Sequence, residues 1–476
     1  MIVHKFGGTS VGNAQCFASV ADIVLEQHNK TSGKPAGGTV VVVSAMSGVT
    51  NQLIAGARAS AEGKDTTYHE IKASLLGRHL EVVEALLSHS PERLEVSDFI
   101  EDRLHELERL YRSIAVLGEL TPRGCDVVAS FGEQLSVNIL AAVLRERGMH
   151  AQAICATQLI VTDDSFGAAT PLMEPTRQLL QQRVKPLIER GVIPVITGYI
   201  AATESGVTTT LGRGGSDYSA AIVGAGLDAD EVWIWSDVDG ILTADPNIVP
   251  QARTLAELSY PEAADLAYYG ADVLHPKTIR PVVESGIPLR ILNSFNPAHP
   301  GTLIVEKPSP EREPLPAIIS STGFSLIAIG SQDDSWTLHM AARALQRLSE
   351  AGLDVLMFSQ SLSEHSLNLV VRKQDQAHCL KLLRQEFKNS GPKNIWNLGT
   401  KEEVATISVV GMPDWNGKET SIVSRAFSIL GKHNTRVIAV AQAASEYSVS
   451  FCIPEDQVTV TVRFLHHELG LDGKDE

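Results

Sequence analysis

Val3-His4-Lys5-Phe6-Gly7-Gly8-Thr9-Ser10-Val11 decides how this chain is read. An apolar strand delivers a lysine, then two glycines, then two hydroxyls, and an amphipathic helix begins at about Ala14. Glycines let backbone N–H groups come close to phosphate oxygens, and a helix N-terminus adds partial positive charge. A lysine at the strand end can neutralise charge on a phosphoryl group in transfer. The stretch is neither GxxxxGK followed by Ser or Thr, nor GxGxxG, so it is neither a P-loop nor a dinucleotide fingerprint.

Outward from this corner, apolar runs alternate with amphipathic helical stretches up to about Glu306, the pattern of an α/β sheet. Val40 to Ser44, Ala151 to Ile154, Val192 to Thr197 and Glu231 to Ser236 read as strands; Gln134 to Glu146 and Thr176 to Arg190 read as helices. Tyr68 to Leu120 reads as a solvated helical subdomain, charged on one face. Lys307 to Pro316 carries four prolines in ten residues, which neither a helix nor a central strand accommodates, so a boundary is expected there. Beyond it the chain repeats itself. Gln360-Ser361-Leu362-Ser363-Glu364-His365-Ser366 matches Gln442-Ala443-Ala444-Ser445-Glu446-Tyr447-Ser448, 82 positions on. The same offset pairs Arg343-Ala344 with Arg425-Ala426 and Leu348 with Leu430; Ile329-Gly330 and Val410-Gly411 are one residue out of step. Two related α+β units follow, each reading strand, helix, strand, turn, strand, helix.

Composition narrows the classes. At 476 residues the chain has room for two to four domains. With 40 basic and 56 acidic residues the net charge is −16, a poor match for nucleic acid, which needs a concentrated basic face. No apolar run approaches a membrane span, and the first residues lack a signal-peptide layout. Five scattered cysteines, with no CxxC, argue against a disulfide framework or a thiolate zinc site and fit a reducing cytoplasm. An acidic chain that binds anions must rely on a few placed cations, backbone N–H groups and a metal ion.

Further motifs give the corner its company: Ser44-Ala45-Met46-Ser47-Gly48-Val49-Thr50-Asn51, Ser130-Phe131-Gly132-Glu133-Gln134-Leu135-Ser136, and Thr210-Leu211-Gly212-Arg213-Gly214-Gly215-Ser216-Asp217-Tyr218-Ser219. Trp235-Ser236-Asp237-Val238-Asp239-Gly240, Asp245-Pro246 and Val273-Leu274-His275-Pro276 complete the set. In this order they resemble the aspartate kinases of the amino-acid kinase superfamily, and the repeat resembles that family's paired ACT domains, so the resemblance covers essentially the whole chain. It implies a three-layer α/β/α sandwich with a mainly parallel sheet over 1–306, a first ACT domain over 317–395 and a second over 402–476, whose last segment could return to the first. The implied reaction moves the γ-phosphoryl group of ATP, with Mg2+, to the side-chain carboxylate of L-aspartate.

The resemblance also assigns residues. Lys5 and Asp217 would be catalytic, with Asp217 orienting Lys5 or binding magnesium through water. Thr50, Glu133, Arg213, Gly214, Gly215 and Ser216 would hold aspartate: Arg213 can grip a carboxylate in bidentate fashion, and Glu133 suits the ammonium. ATP would meet Lys5, Gly7, Gly8, Thr9, Ser10, Ser236, Asp237, Leu242, Asn247, Asp272 and Val273. No residue is singled out as a direct metal ligand. Many relatives carry Tyr, Arg and Lys at the positions of Leu242, Asn247 and Asp272, so two cations are missing here. That departure leaves open a catalytically weak amino-acid sensor, beside a kinase with another carboxylate acceptor. In the ACT pair, Gln360 and Gln442 would contact an amino-acid effector, threonine or lysine, and the same domains would join a homodimer or larger oligomer. No homoserine dehydrogenase portion follows Glu476, so the chain reads as monofunctional or as a piece of something longer.

Overall fold

A computed structural model describes residues 1–31, 38–269, 276–313, 315–331, 337–361, 365–388, 395–411, 422–442 and 448–472. Asp272 and Val273 lie outside the described residues. The chain divides into two compact units: 1–241, 254–260 and 272–312 in the first, and 242–253, 261–271 and 313–476 in the second.

The first unit is built on an eight-stranded sheet. Its strands run in the order Ala151–Ile154, Ile193–Thr197, Thr39–Val43, Ile2–Phe6, Glu231–Ser236, Leu289–Asn293, Thr302–Val305, Glu257–Ser259. Every pairing is parallel except that of Leu289–Asn293 with Thr302–Val305. Parallel strands covered on both faces carry unbroken apolar runs, and Thr39–Val43 and Ile193–Thr197 are buried at every position. Helices Ala14–Thr31 and Phe131–Glu146 cover one face, and Gly215–Leu227, beside Met173–Arg183 and Pro276–Glu284, covers the other. Chain order runs outward from Ile2–Phe6 to neighbours on both sides, which opens a crevice at the carboxyl ends of the central strands.

One expectation about the helices needs adjusting. The helix expected over 176–190 is two helices, Met173–Arg183 and Lys185–Glu189, joined at Val184, because Pro186 disfavours continuous helix just before itself. The helical subdomain expected over Tyr68 to Leu120, charged on one face, forms the two long helices Asp65–Leu87 and Glu92–Leu117. Leu75, Val82, Leu87, Ile100, Leu104, Leu107 and Tyr111 join the core of the sheet's helical layer. The helical run Pro122–Glu146 is long and apolar enough to cross a membrane by length and composition, but 83% of its most apolar window is buried inside the fold.

The second unit holds one six-stranded antiparallel sheet, ordered Val355–Ser361, Ser366–Arg372, Ala317–Ser331, Ile395–Val410, Ser448–Pro454, Ala439–Gln442. The 82-residue spacing is kept in the second half of each copy: strand Ser366–Arg372 recurs as Ser448–Pro454, and the helix starting at Gln376 recurs from Val458. The two long strands pair with each other along almost their whole length. Residues 317–321 of one pair with 406–410 of the other, and 327–331 pair with 395–400. The copies therefore share strands. Residues 242–253, expected within 1–306, group with this unit because Ala244 and Val249 are buried among Ile318, Ala405, Phe451, Val462 and Leu465. Thr243 Oγ1 also lies 2.9 Å from His466 Nε2.

Candidate active site

Three strand ends build a cleft of about 540 Å³ in the first unit. After Ile2–Phe6 the chain turns through Gly7 and Gly8 into a single 3-10 turn at Thr9–Val11. After Thr39–Val43 it enters Ser44–Gly48, and after Ile193–Thr197 it reaches Gly198 and Tyr199. Backbone bonds knit these corners together: Ser44 N donates to Phe6 O at 3.1 Å, Ser47 N to Gly8 O at 3.0 Å, and Gly198 N to Val43 O at 2.8 Å. Glycine is needed at position 8, where a Cβ would sit 2.9 Å from the Ala45 carbonyl oxygen.

Lys5, Gly8, Thr50, Glu133, Arg213, Gly214, Gly215, Ser216 and Asp217 all line this one cleft, although they come from four separate stretches of sequence. Lys5 is buried, and its Nζ meets Asp217 Oδ1 at 2.5 Å. Asp217 reaches it from the first turn of helix Gly215–Leu227, which begins just after the exposed Arg213 and whose Gly215 N donates to Gly212 O at 3.0 Å. Gly214 takes a left-handed conformation (φ +68°) that lets the chain turn sharply into that helix.

Glu133 is the electrostatic anomaly. It is buried, Oε1 accepts from Ala45 N at 3.2 Å, and Oε2 has no partner. Burial pushes its pKa up to about 8, against the pull of the Ala45 N–H. A buried carboxyl with an unused oxygen at a cleft wall suits a cation that arrives with the ligand.

The remaining expected residues are placed as follows. Gly7 N donates to Trp235 O at 3.3 Å, and Thr9 is exposed. Ser10 is buried with its hydroxyl 2.8 Å from that of Ser294, which in turn donates to Ser236 O at 3.0 Å. Ser236 Oγ donates to Asp237 Oδ1 at 3.2 Å. Leu242 and Asn247 belong to the second unit, where Asn247 bonds Asp245 through backbone and side chain. Gln360 and Gln442 occupy equivalent places on the two outermost strands of the six-stranded sheet, paired with Leu367 and Val449.

Sequence reasoning passed over Tyr199 and Asp126. Tyr199 lines the cleft in a left-handed conformation (φ +64°), and burial pushes the pKa of its hydroxyl up, against the pull of a side-chain bond with Thr210. Its signal was available: it follows a wholly buried parallel strand, where such sheets put their ligands. Asp126 stands behind the cleft wall, and nothing local marks it.

Comparison with known proteins gives this geometry a lineage. The model of the amino acid kinase family matches residues 1–293, and an ACT domain model matches 337–387 and 407–469. Aspartokinase 1 of the chloroplast of Arabidopsis thaliana is 33% identical over 99% of this chain and 80% of its own length. This chain belongs to the aspartokinases of the amino acid kinase family. Another Arabidopsis thaliana relative, the chloroplastic bifunctional aspartokinase/homoserine dehydrogenase 2, is 32% identical over 98% of the chain, which spans only 50% of that relative's length. Among aspartokinases of known structure, E. coli aspartokinase III with aspartate and ADP (R-state) is 28% identical. Its TM-score is 0.80, with 98% of this chain and 99% of that one covered. The same enzyme with lysine and aspartate (T-state) is 29% identical at TM-score 0.79, covering 99% of each.

Proposed function

We propose that this chain is an aspartate kinase, transferring the γ-phosphoryl group of ATP to the side-chain carboxylate of L-aspartate to give 4-phospho-L-aspartate, the entry to lysine, threonine and methionine. The observation that carries this reading is the convergence of the Lys5–Asp217 pair, the buried Glu133 and the Arg213 loop on one cleft. The likeness to aspartokinases, one of them crystallised with aspartate and ADP, supports the same reading.

The chemistry follows from the placements. The α-ammonium of aspartate supplies the cation that Glu133 lacks, and its arrival favours the ionised carboxylate. Arg213, the Gly214 amide, and the hydroxyls of Ser216 and Thr50 receive the α-carboxylate, with Gly215 lining the cleft beside them. The side-chain carboxylate, already ionised at neutral pH, attacks the γ-phosphorus; the bond to the bridging oxygen breaks and ADP leaves. No general base is required, so catalysis rests on alignment and on neutralisation of charge by Lys5, which Asp217 holds in place. The glycine corner at Gly7 and Gly8 suits the phosphates. Among the described residues no three His, Cys, Asp or Glu side chains gather as a metal site. Magnesium would therefore be held chiefly by the phosphates, neutralising charge there.

The paired C-terminal copies would bind an amino-acid effector, lysine or threonine, near Gln360 and Gln442, and join a homodimer or larger assembly. Lysine bound to the T-state of E. coli aspartokinase III favours lysine. No disulfide joins any of the five cysteines, in keeping with a reducing compartment such as the cytoplasm. Coupled ADP-release kinetics over aspartate, glutamate, N-acetylglutamate and carbamate, each with and without lysine and threonine, tests the whole proposal. Turnover with aspartate alone is expected. A preference for another acceptor would overturn the substrate, and effector binding without any turnover would leave a sensor.

A further inference from the structure

Asp126 lies on helix Pro122–Ala129, buried behind the cleft rather than lining it. Its carboxylate is fully occupied, and every partner belongs to a segment that shapes the acceptor side. Oδ2 accepts from Gly167 N at 2.9 Å and from Thr210 N at 3.0 Å, while Oδ1 accepts from Thr210 Oγ1 at 2.8 Å. Gly167 and Gly212 both line the cleft, and a Cβ on Gly212 would lie 3.2 Å from Gly167 O, so the two loops are in contact. Thr210 leads directly into Leu211-Gly212-Arg213, and Leu211 N donates to Tyr199 O at 2.9 Å. A single buried side chain thus ties together the two loops that meet beside Arg213.

The same helix runs through Ser130 into Phe131–Glu146, which carries Glu133. Asp126 and Glu133 therefore sit on consecutive helices, one carboxylate turned to the loops and the other to the cleft. The distance between the ammonium-binding and carboxylate-binding ends of the site is fixed where these helices meet the loops. Three hydrogen bonds from two loops converge on this one buried side chain, and a buried network with its members satisfied holds the spacing.

We propose that Asp126 is a positioning residue that fixes the Arg213 loop at a set distance from Glu133 and thereby sets the acceptor length the site accepts. It touches no reacting atom. The proposal rests on the function argued above, and its test separates the two. Steady-state kinetics of wild type, Asp126→Asn, Asp126→Ala and Thr210→Val with aspartate and with glutamate, one methylene longer, reads the spacing. Loss of these bonds should raise KM for aspartate about tenfold or more and leave KM for ATP within about twofold. The preference for aspartate over glutamate in kcat/KM should shrink by about tenfold. Asp126→Asn, which keeps one acceptor oxygen, should fall between wild type and Asp126→Ala. Thr210→Val removes the Oγ1 bond to Asp126 together with the side-chain bond to Tyr199, keeps the Thr210 N–H bond to Asp126, and carries the test if Asp126→Ala does not fold. A fall in kcat with both KM values and the aspartate preference unchanged would overturn the proposal, as would equal rises in both KM values.

Amide exchange supplies an arm that needs no turnover. Gly167 and Thr210 N–H should exchange faster in Asp126→Asn than in wild type, and unchanged exchange overturns the proposal. Wild type that fails to phosphorylate aspartate would instead sink the function, with the exchange arm still deciding the positioning role.

Discussion

At the scale of single residues, Lys5 and Glu133 make the sharpest commitments. Lys5→Ala should lower kcat by about a thousandfold, because it removes charge felt most in the transition state, while thermal melting and effector binding stay unchanged. Glu133 makes a pH prediction with a definite sign. Its folded pKa of about 8 lies above the ordinary 4.5, so the ligand-free fold holds a proton that the unfolded chain releases. Its contribution to stability is present below pH 4.5 and is lost as pH rises through about 8. Melting of the ligand-free protein between those limits should show a decline that Glu133→Gln lacks. Aspartate affinity should move oppositely, tightening as pH approaches 8, and calorimetry should detect proton release on binding below that pH. Arg213 and Glu133 were singled out in the sequence because their motifs resemble the family's, and both line the one cleft. Asp126 was not, since an acid in a short helix after Pro122 reads as solvated surface. Only three-dimensional placement shows its carboxylate facing the amides of residues 167 and 210.

The strand–turn elements explain why the site assembles from distant stretches. The first turn works because its backbone lies against the next one: Gly8 O receives Ser47 N, and position 8 has no room for a methyl group. Gly8 has ordinary right-handed angles (φ −62°), so Gly8→Ala is a purely steric test. It should separate the two loops by a few tenths of an ångström and lower kcat/KM by about tenfold or more, with circular dichroism unchanged. Normal kinetics in Gly8→Ala would show that the close approach is dispensable. Most strands of the first sheet were visible as apolar runs, because parallel strands buried on both faces leave that mark. Helix breaks were harder. The interruption at Val184 follows from Pro186, but a proline in a first turn reads equally well as a helix start. The packing of 65–117 against the sheet's helical layer was not legible, because one charged face implies an apolar stripe but does not name what that stripe packs on.

For the molecule as a whole, two compact units imply two separable contributions to stability. Phe451 is fully buried in the apolar cluster of the second unit, so Phe451→Ala should destabilise that unit by about 3–5 kcal/mol. Differential scanning calorimetry should show one transition falling and a second holding its position, with aspartate and ATP raising the held one. A single transition that shifts intact would mean the units melt together. The repeat itself was plain in the sequence, since both copies keep the same spacing, but strand sharing was not, because a pattern of residues does not say which partner a strand chooses. That sharing bears on inheritance. A gene crossover between the copies would strand half of each long ribbon without its mate, exposing raw backbone that invites clumping. Lineages that trade sensors by recombination should therefore exchange the pair wholesale, with breakpoints ahead of residue 317 and never midway.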